Sequence, residues 1–503
     1  MVKPGPPEKP DCRGRDRFSI APPAMAMDLY ELLMAQGYWR LGWGGRTAVF
    51  NLFFRKNPFG NGFVLACGQE SVRAFLEDMR FSEQDLEYPA IVRGSDGRPL
   101  FHPDFLTALA DFSFRCDVLA APEGSVVFPD EPIVQVQGPL LQAQLIETAL
   151  LTSMGFPSLV ATKAARVCRA AEGDPVIEFG LRRAQGWQAG LIASRSAFIG
   201  GCVGTSNVAA GQAFGIPVRG TMAHSWVMAF HDEVEAFAAY GHAAPNNCIF
   251  VLDTYDSEKG IQQALRAAET LRREGIVLQA VRLDSGNLAQ LSRVARRSLD
   301  QAGLAATAVF VSGDLDEYRI RKWKAEGACV DGWGVGTRLV TAFEEPALAV
   351  VYKLSAITDE NGNLQDRVKI SNDRGKRSLP GVPRVVRFYR DARAVCDVIY
   401  DHRDGVPSAE EIGRSWKPDV RLRETLLAGD CRGEGLLLPL FEQGRPVGEP
   451  QPLTEVRKYA QNQIASLPEE VCRLERAARY PVLETRGVRR RRRQATAGLR
   501  RSR

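Results

Sequence analysis

The sequence predicts an α/β protein in which an irregular β/α barrel packs against a smaller α+β domain built from the N- and C-terminal segments. From Pro175 to about Val351, short apolar runs alternate with helical patterns, the rhythm of parallel β/α units. About seven such units follow one another there, which favours a closed barrel over an open sheet. On either side the pattern changes to short strands broken by Gly and Pro.

Residues 1–26 are rich in proline and charge and read as a disordered leader. An N-terminal α+β domain is expected over 27–139. In it Asp28 caps a helix to Trp39, and Ala48 to Phe54 is an apolar strand. Asn57-Pro58-Phe59-Gly60-Asn61-Gly62 is a turn cluster. A strand over Phe63–Cys67, a helix over Gln69–Arg80 and a strand over Glu131–Gln137 follow. The barrel is expected over 140–350, opening with a helix from Leu140 to Thr152. Its strands are Val176–Phe179, Gly201–Val203, Ile216–Val218, Cys248–Leu252, Leu278–Leu283, Ala308–Ser312 and Val330–Val335. Over 351–485 strands return (Ala349–Ala356, Val368–Ser371, Val385–Tyr389, Val395–Ile399), and this segment is expected to rejoin the N-terminal domain. Residues 486–503 read as a disordered arginine-rich tail.

Composition excludes several classes. With 45% hydrophobic and 25% charged residues, 503 residues can bury a large core. The formal charge is +5, but residues 486–503 hold nine arginines and no acids, so the remainder carries +5 less 9, or −4. A mildly acidic body argues against nucleic acid as the partner. Ten cysteines are scattered without a C-x-x-C pair, which suits free thiols and a cytoplasmic location. No uninterrupted apolar run reaches the roughly 18 residues of a spanning helix, and no signal-peptide pattern opens the chain, so no membrane is expected.

The chemistry collects at the strand ends, where β/α barrels place their active residues. The first strand runs into Glu178-Phe179-Gly180-Leu181-Arg182-Arg183, the second into Gly204-Thr205-Ser206-Asn207, and the third into Gly220-Thr221-Met222-Ala223-His224-Ser225. Asp253 follows the fourth, and Arg282-Leu283-Asp284-Ser285-Gly286 ends the fifth. Ser312-Gly313-Asp314 and Gly334-Val335-Gly336-Thr337 end the last two, the usual phosphate-binding pair. Any one of these is ordinary turn chemistry; their recurrence at every strand is not. Glycine turns that open helices present backbone N–H groups to anions. Arg182, Arg183 and Arg282 can add bidentate contacts to carboxylate or phosphate, while Asp253 and Asp284 can hold Mg²⁺ or sugar hydroxyls.

His224 stands at a strand-to-helix turn, with Ser225 as the expected N-cap of an amphipathic helix through Val227, Phe230, Val234 and Phe237. The positive end of that helix disfavours an imidazolium, and a neutral imidazole is a competent nucleophile. His102, His231, His242 and His402 have no partner at metal-binding spacing.

Taken together, Asp28-Leu29-Tyr30-Glu31-Leu32, Phe54-Arg55-Lys56-Asn57-Pro58-Phe59-Gly60, Glu178 to Gly186, Gly220 to Ser225 and Arg282 to Gly286 resemble nicotinate phosphoribosyltransferases, in order, from about Asp28 to Leu483. The resemblance implies a type II phosphoribosyltransferase, usually a homodimer. The implied reaction joins nicotinate to phosphoribosyl pyrophosphate, giving nicotinate mononucleotide and pyrophosphate in the salvage (Preiss–Handler) route to NAD. It is coupled to ATP as co-substrate, uses Mg²⁺, and passes through a phosphohistidine at the position of His224. By the same resemblance Phe179 and Tyr30 sandwich the pyridine ring, Tyr30 coming from the neighbouring subunit. Arg282 and Thr221 line the nicotinate pocket. Arg182, Gly313, Gly334, Gly336 and Thr337 match positions that hold the sugar phosphate, beside Ser312 at the same strand tip, and Asp284 meets ribose hydroxyls or the metal-bound diphosphate.

Ser206 bears on specificity. The related nicotinamide enzymes carry an aspartate about there, which would repel a carboxylate. Serine therefore favours the acid over nicotinamide. A catalytically idle barrel with a binding or regulatory role is the other alternative, opposed by intact His224, Arg282 and Asp284. Asn287 departs from the aspartate more usual after this Arg-Leu-Asp-Ser-Gly run, which weakens any metal contact at that position.

Overall fold

The computed structural model describes residues 20–370, 378–415 and 420–501. Most of the leader expected over 1–26 therefore lies outside the described residues.

A seven-stranded sheet interleaves the two ends of the chain. In spatial order its strands are Leu364–Asp366, Val350–Thr358, Thr47–Phe54, Val134–Pro139, Asp117–Ala120, Leu438–Glu442 and Arg445–Pro446. Every pairing is antiparallel; Phe54 faces Val350, and Ala48 faces both Ile357 and Gly138. The central strand reads Thr-Ala-Val-Phe-Asn-Leu-Phe-Phe and is buried on both faces after its first residue. Its one buried polar side chain, Asn51, is satisfied across both neighbours: it donates to Ser355 Oγ at 2.8 Å and accepts from Gln135 Nε2 at 2.8 Å. A second sheet is formed by Arg432–Gly435, Pro383–Arg390, Arg393–Asp401 and Val482–Glu484. The strand expected over Val368–Ser371 does not form over 368–370, and Ser371 lies outside the described residues.

Helix α1 (Leu29–Arg40) begins after Asp28, whose side chain makes no cap bond. The helix expected over Leu140–Thr152 breaks after Leu140–Gln144 and resumes as α2 (Glu147–Ala170), far longer than expected. Leu140–Ala170 is long and apolar enough to cross a membrane by composition, yet most of it is buried inside the protein, so it is a core element. Small residues let the following helix, Trp187–Gly200, approach closely: a Cβ on Gly200 would fall 2.4 Å from Ala161 O. Two cations lie buried on α2. Lys163 pairs with Glu317 and Glu344 at 2.7 and 2.6 Å, and Arg166 pairs with Glu317 at 2.7 Å.

The barrel sheet has six parallel strands: β1 (Val176–Glu178), β2 (Gly204–Thr205), β3 (Ile249–Val251), β4 (Ala280–Leu283), β5 (Ala308–Val311) and β6 (Gly332–Val335), ordered β2-β1-β6-β5-β4-β3. Two expectations need correction. The strand placed at Gly201–Val203 starts at Gly204, because Gly201 (φ +125°) still closes the preceding helix. The strand placed at Ile216–Val218 is a single bridge between Val218 and Thr205. Pro217 has no N–H to donate, so the ladder stops at Thr205 N→Pro217 O and Arg219 N→Thr205 O. This is where the barrel is irregular. Its edges meet through side chains instead: Asn247 Nδ2 donates to Gly220 O at 3.0 Å.

The helix after His224 is also broken. Helix α3 (His224–Met228) lasts five residues, and Asp232 caps a new helix, Glu233–Ala243, by accepting from Glu235 N at 2.9 Å. Ala223, not Ser225, occupies the N-cap of α3 and offers no side-chain bond. Beyond β4 and β5 come α4 (Leu288–Gln301) and α5 (Glu317–Ala325), capped by Asn287 and Asp316. Asn287 is thus occupied in accepting from Gln290 N.

The tail corrects the charge-run reading. Residues Arg486–Arg501 form helix α6, with Val488 fully buried. Arg491 reaches Asp404 at 2.6 Å and Asp401 at 3.3 Å, and Arg492 pairs with Glu484 at 2.5 Å. Like charges do not disorder the segment because acids elsewhere in the chain meet them.

Candidate active site

The tips of β1, β6, β5 and β4 open into one cavity of about 450 Å³. Its wall takes Phe179 and Arg182 from β1, Gly334, Gly336 and Thr337 from β6, Ser312 and Gly313 from β5, and Arg282 and Asp284 from β4. Those nine expected residues therefore converge. Arg183 joins them, with no ion pair among the described residues, and Arg319 and Trp323 of α5 extend the wall. Four arginines face two aspartates, Asp284 and Asp314, so the cavity is positive on balance and suits a polyphosphate.

Arg282 is the junction. Its Nε donates to Ser312 Oγ at 2.8 Å, one terminal nitrogen to Thr221 Oγ1 at 2.9 Å and the other to Asp284 Oδ1 at 3.0 Å. Two strand tips and the loop after the Val218 bridge thus hold one guanidinium, with one N–H on each terminal nitrogen left over. Ser312 Oγ also donates to Asp284 Oδ1. Burial pushes the Asp284 carboxyl up, but Arg282, Ser312 and His224 more than offset this and hold it below the usual carboxylate range.

His224 lies beside the cavity. Its Nδ1 is 3.2 Å from Thr254 Oγ1, and its Nε2 is 3.9 Å from Asp284 Oδ2. A five-residue helix leaves little dipole, so the ring's electrostatic neighbour is the Asp284 carboxylate rather than a helix end. Asp253 is tied in from β3: its Oδ2 accepts from Ser285 Oγ at 2.6 Å and from Asp284 N at 3.1 Å. Its other oxygen, Oδ1, is buried without a hydrogen-bond partner among the described residues.

Backbone shape fixes the glycine loops at the tips of β5 and β6. Gly313 has φ +98°, and a Cβ there would fall 2.0 Å from Asp284 O. A Cβ on Gly334 would lie 2.5 Å from the Phe179 ring, so that glycine makes room for the aromatic.

Five expected residues do not line the cavity: Thr221, His224 and Asp253 touch residues of its wall, and Ser206 and Tyr30 stand outside it. Ser206, half-buried at the tip of β2, donates its N–H to Glu178 O. Tyr30 lies on α1 with its side chain partly exposed, beside Glu147, and burial followed by that carboxylate pushes its phenol up to about 12. One organising residue escaped the sequence reading. Glu178, the last residue of β1, is buried and accepts from Gly180 N, from Ser194 Oγ at 2.8 Å and from Thr205 Oγ1 at 2.5 Å. It fixes the turn carrying Phe179, and its place inside a quoted motif was the available signal.

Models of the nicotinate phosphoribosyltransferase N-terminal domain, family and C-terminal domain match residues 25–154, 175–390 and 383–490. The chain belongs to the nicotinate phosphoribosyltransferase family. It is 41% identical over 461 residues to a nicotinate phosphoribosyltransferase of Mycobacterium tuberculosis, covering 91% of each chain. The Bacillus subtilis nicotinate phosphoribosyltransferase is 39% identical over 458 residues, covering 90% of this chain and 91% of that one. The crystal structure of human nicotinic acid phosphoribosyltransferase superposes with a TM-score of 0.78 at 31% identity, covering 92% and 98%. The fold, a β/α barrel on an interleaved α+β layer, is thus that of the family.

Proposed function

We propose that the protein transfers the phosphoribosyl group of phosphoribosyl pyrophosphate to nicotinate, coupled to ATP through a phosphohistidine at His224, as part of NAD salvage. The Arg282 junction carries this reading. A guanidinium fixed by two strand tips and the Thr221 loop, with one N–H spare on each terminal nitrogen, shares its cavity with an aromatic side chain and two glycine loops. The pyridine ring lies on Phe179 with its carboxylate at Arg282. The sugar phosphate lies along Ser312-Gly313 and Gly334 to Thr337, with Arg182 above it.

The ring nitrogen lone pair attacks C1 of the ribose. A C–N bond forms, the C1–O bond breaks, and the diphosphate leaves with the electron pair. No proton need leave the acceptor, so the site acts by positioning and by cationic stabilisation of the leaving group. In the ATP step Nδ1–H of His224 donates to Thr254, which leaves the Nε2 lone pair free. Nε2 attacks the γ-phosphorus, an N–P bond forms and ADP departs. Water later cleaves that bond and releases phosphate.

Mg²⁺ fits the residues present. Asp253 offers an orphaned buried oxygen, and Asp284 is kept ionised. Among the described residues no group of three or more metal-binding side chains forms a cage. That donor set suits an ion held by one or two carboxylates and completed by substrate phosphates. Bound by Asp253 and Asp284, it would neutralise charge on the departing diphosphate. A homodimer is part of the reading, because Tyr30 lies outside this chain's cavity and would serve a partner's.

The test is pyrophosphate release with nicotinate or nicotinamide as acceptor, with and without ATP. Release with nicotinate, stimulated by ATP, is expected. Release with nicotinamide alone, or with neither acceptor, would overturn the proposal.

A further inference from the structure

The outer wall of the cavity has a feature that neither nicotinate nor a sugar phosphate uses. Arg319 and Trp323 stand four residues apart on α5, one turn above the other on a shared face, and both line the cavity. Leu288, the first residue of α4, lines it too.

Trp323 is half-buried, packed in part against the apolar core of the barrel, but its polar edge is unused. Trp226 donates its indole N–H to Ala236 O at 2.9 Å, and Trp333 donates to Asp174 at 3.0 Å. Among the described residues the Trp323 N–H has no acceptor, and no other ring or cation sits on its face, whereas Trp226 packs on both Phe230 and Tyr240. Arg319 uses one N–H, donating to Asp314 O at 2.8 Å, and is otherwise exposed. A ligand with phosphates at Ser312-Gly313 that runs along α5 meets a cation and then an indole, with Leu288 lining the same cavity. Phosphate, cation and aromatic face in that order match a nucleotide. The pyridine acceptor already has Phe179 on the inner wall, and a phosphoribosyl donor has no ring to stack.

We propose that the outer end of the cavity, between Leu288 and α5, is a subsite for the purine of a nucleoside triphosphate. Trp323 is its stacking platform, and Arg319 lies beside the ribose and α-phosphate. This rests on the ATP-coupled reading above.

The experiment is calorimetric titration of the full chain, in Mg²⁺ at fixed salt, with ATP and with inorganic tripolyphosphate. Both ligands meet the arginines and glycine loops; only ATP brings a base. Stacking on an aromatic side chain predicts that wild type binds ATP roughly 5- to 150-fold more tightly than tripolyphosphate. In Trp323→Ala that gap closes while tripolyphosphate affinity holds, and Trp323→Phe keeps most of it. ATP affinity unmoved by Trp323→Ala, or both ligands weakened alike, would overturn the subsite. Equal wild-type affinities would overturn the subsite alone, whereas no ATP binding at all would overturn it together with the ATP-coupled reading. Should Trp323→Ala fail to fold, photolabelling of wild type with 8-azido-ATP decides. Label on α5 or at the start of α4 is expected, and label confined to other segments overturns the proposal.

Discussion

Replacing Gly313 by alanine adds one methyl group, and the structure says where it goes. The residue has φ +98°, where an L side chain is strained by roughly 1–2 kcal/mol. Its Cβ would fall 2.0 Å from the carbonyl oxygen of Asp284, closer than the 3.0 Å that real Cβ atoms respect. That obstacle is backbone at the end of β4, next to the Arg282 junction, and it cannot rotate away. The Ser312-Gly313 loop must therefore retreat by about 1 Å, and a misplacement of that size costs on the order of 100-fold in rate. Gly313→Ala is thus expected to lower kcat/KM for phosphoribosyl pyrophosphate about 100-fold, or about 2.7 kcal/mol in transition-state binding. Loss of stability should stay near the strain figure. Initial rates of pyrophosphate formation against donor concentration, paired with urea unfolding, measure both. An unchanged kcat/KM in a folded variant would refute the claim that this turn shapes the anion site.

Other outcomes are expected. His224→Ala should lose the stimulation by ATP yet keep some basal transfer; a variant that ATP still accelerates would remove His224 from the phosphate relay. Burial, partly offset by the Thr148 hydrogen bond, raises the Glu31 carboxyl from 4.5 to about 7. A raised folded-state value means that the native state holds the proton more tightly. Its contribution to stability is therefore complete below 4.5 and lost as pH rises through about 7. Glu31→Gln should flatten that slope in unfolding experiments, and identical slopes in the two proteins would contradict the assignment. Arg491→Ala removes the contacts that dock α6 on Asp404 and Asp401, and should cost about 1–3 kcal/mol in urea unfolding. No loss would mean that Val488 and the Arg492–Glu484 pair suffice to hold the helix.

The sequence displays what depends on local chain chemistry. Strand tips were legible because each apolar run ends in glycine or a polar residue, and the nine residues placed at the tips of β1, β4, β5 and β6 do share a cavity. What depends on partners distant in sequence was hidden. The arginine tail looks self-repelling until Asp401 and Asp404 arrive from a strand and turn some ninety residues earlier, and Asp366 from a strand farther back still. Val227, Phe230, Val234 and Phe237 keep helical spacing across a break, since Asp232 resets the helix without disturbing the period. Pro217 announces its missing donor, but the apolar residues around it outweighed that signal. Trp323 sits in the second turn of a helix, where an indole aimed at a cavity and one packed on a core read alike.

The most direct test of the central claim is product analysis by mass spectrometry. The protein is incubated with phosphoribosyl pyrophosphate, Mg²⁺, ATP and equal amounts of nicotinate and nicotinamide. The account predicts nicotinate mononucleotide as the dominant product. Nicotinamide mononucleotide in its place, or no nucleotide at all, would contradict it.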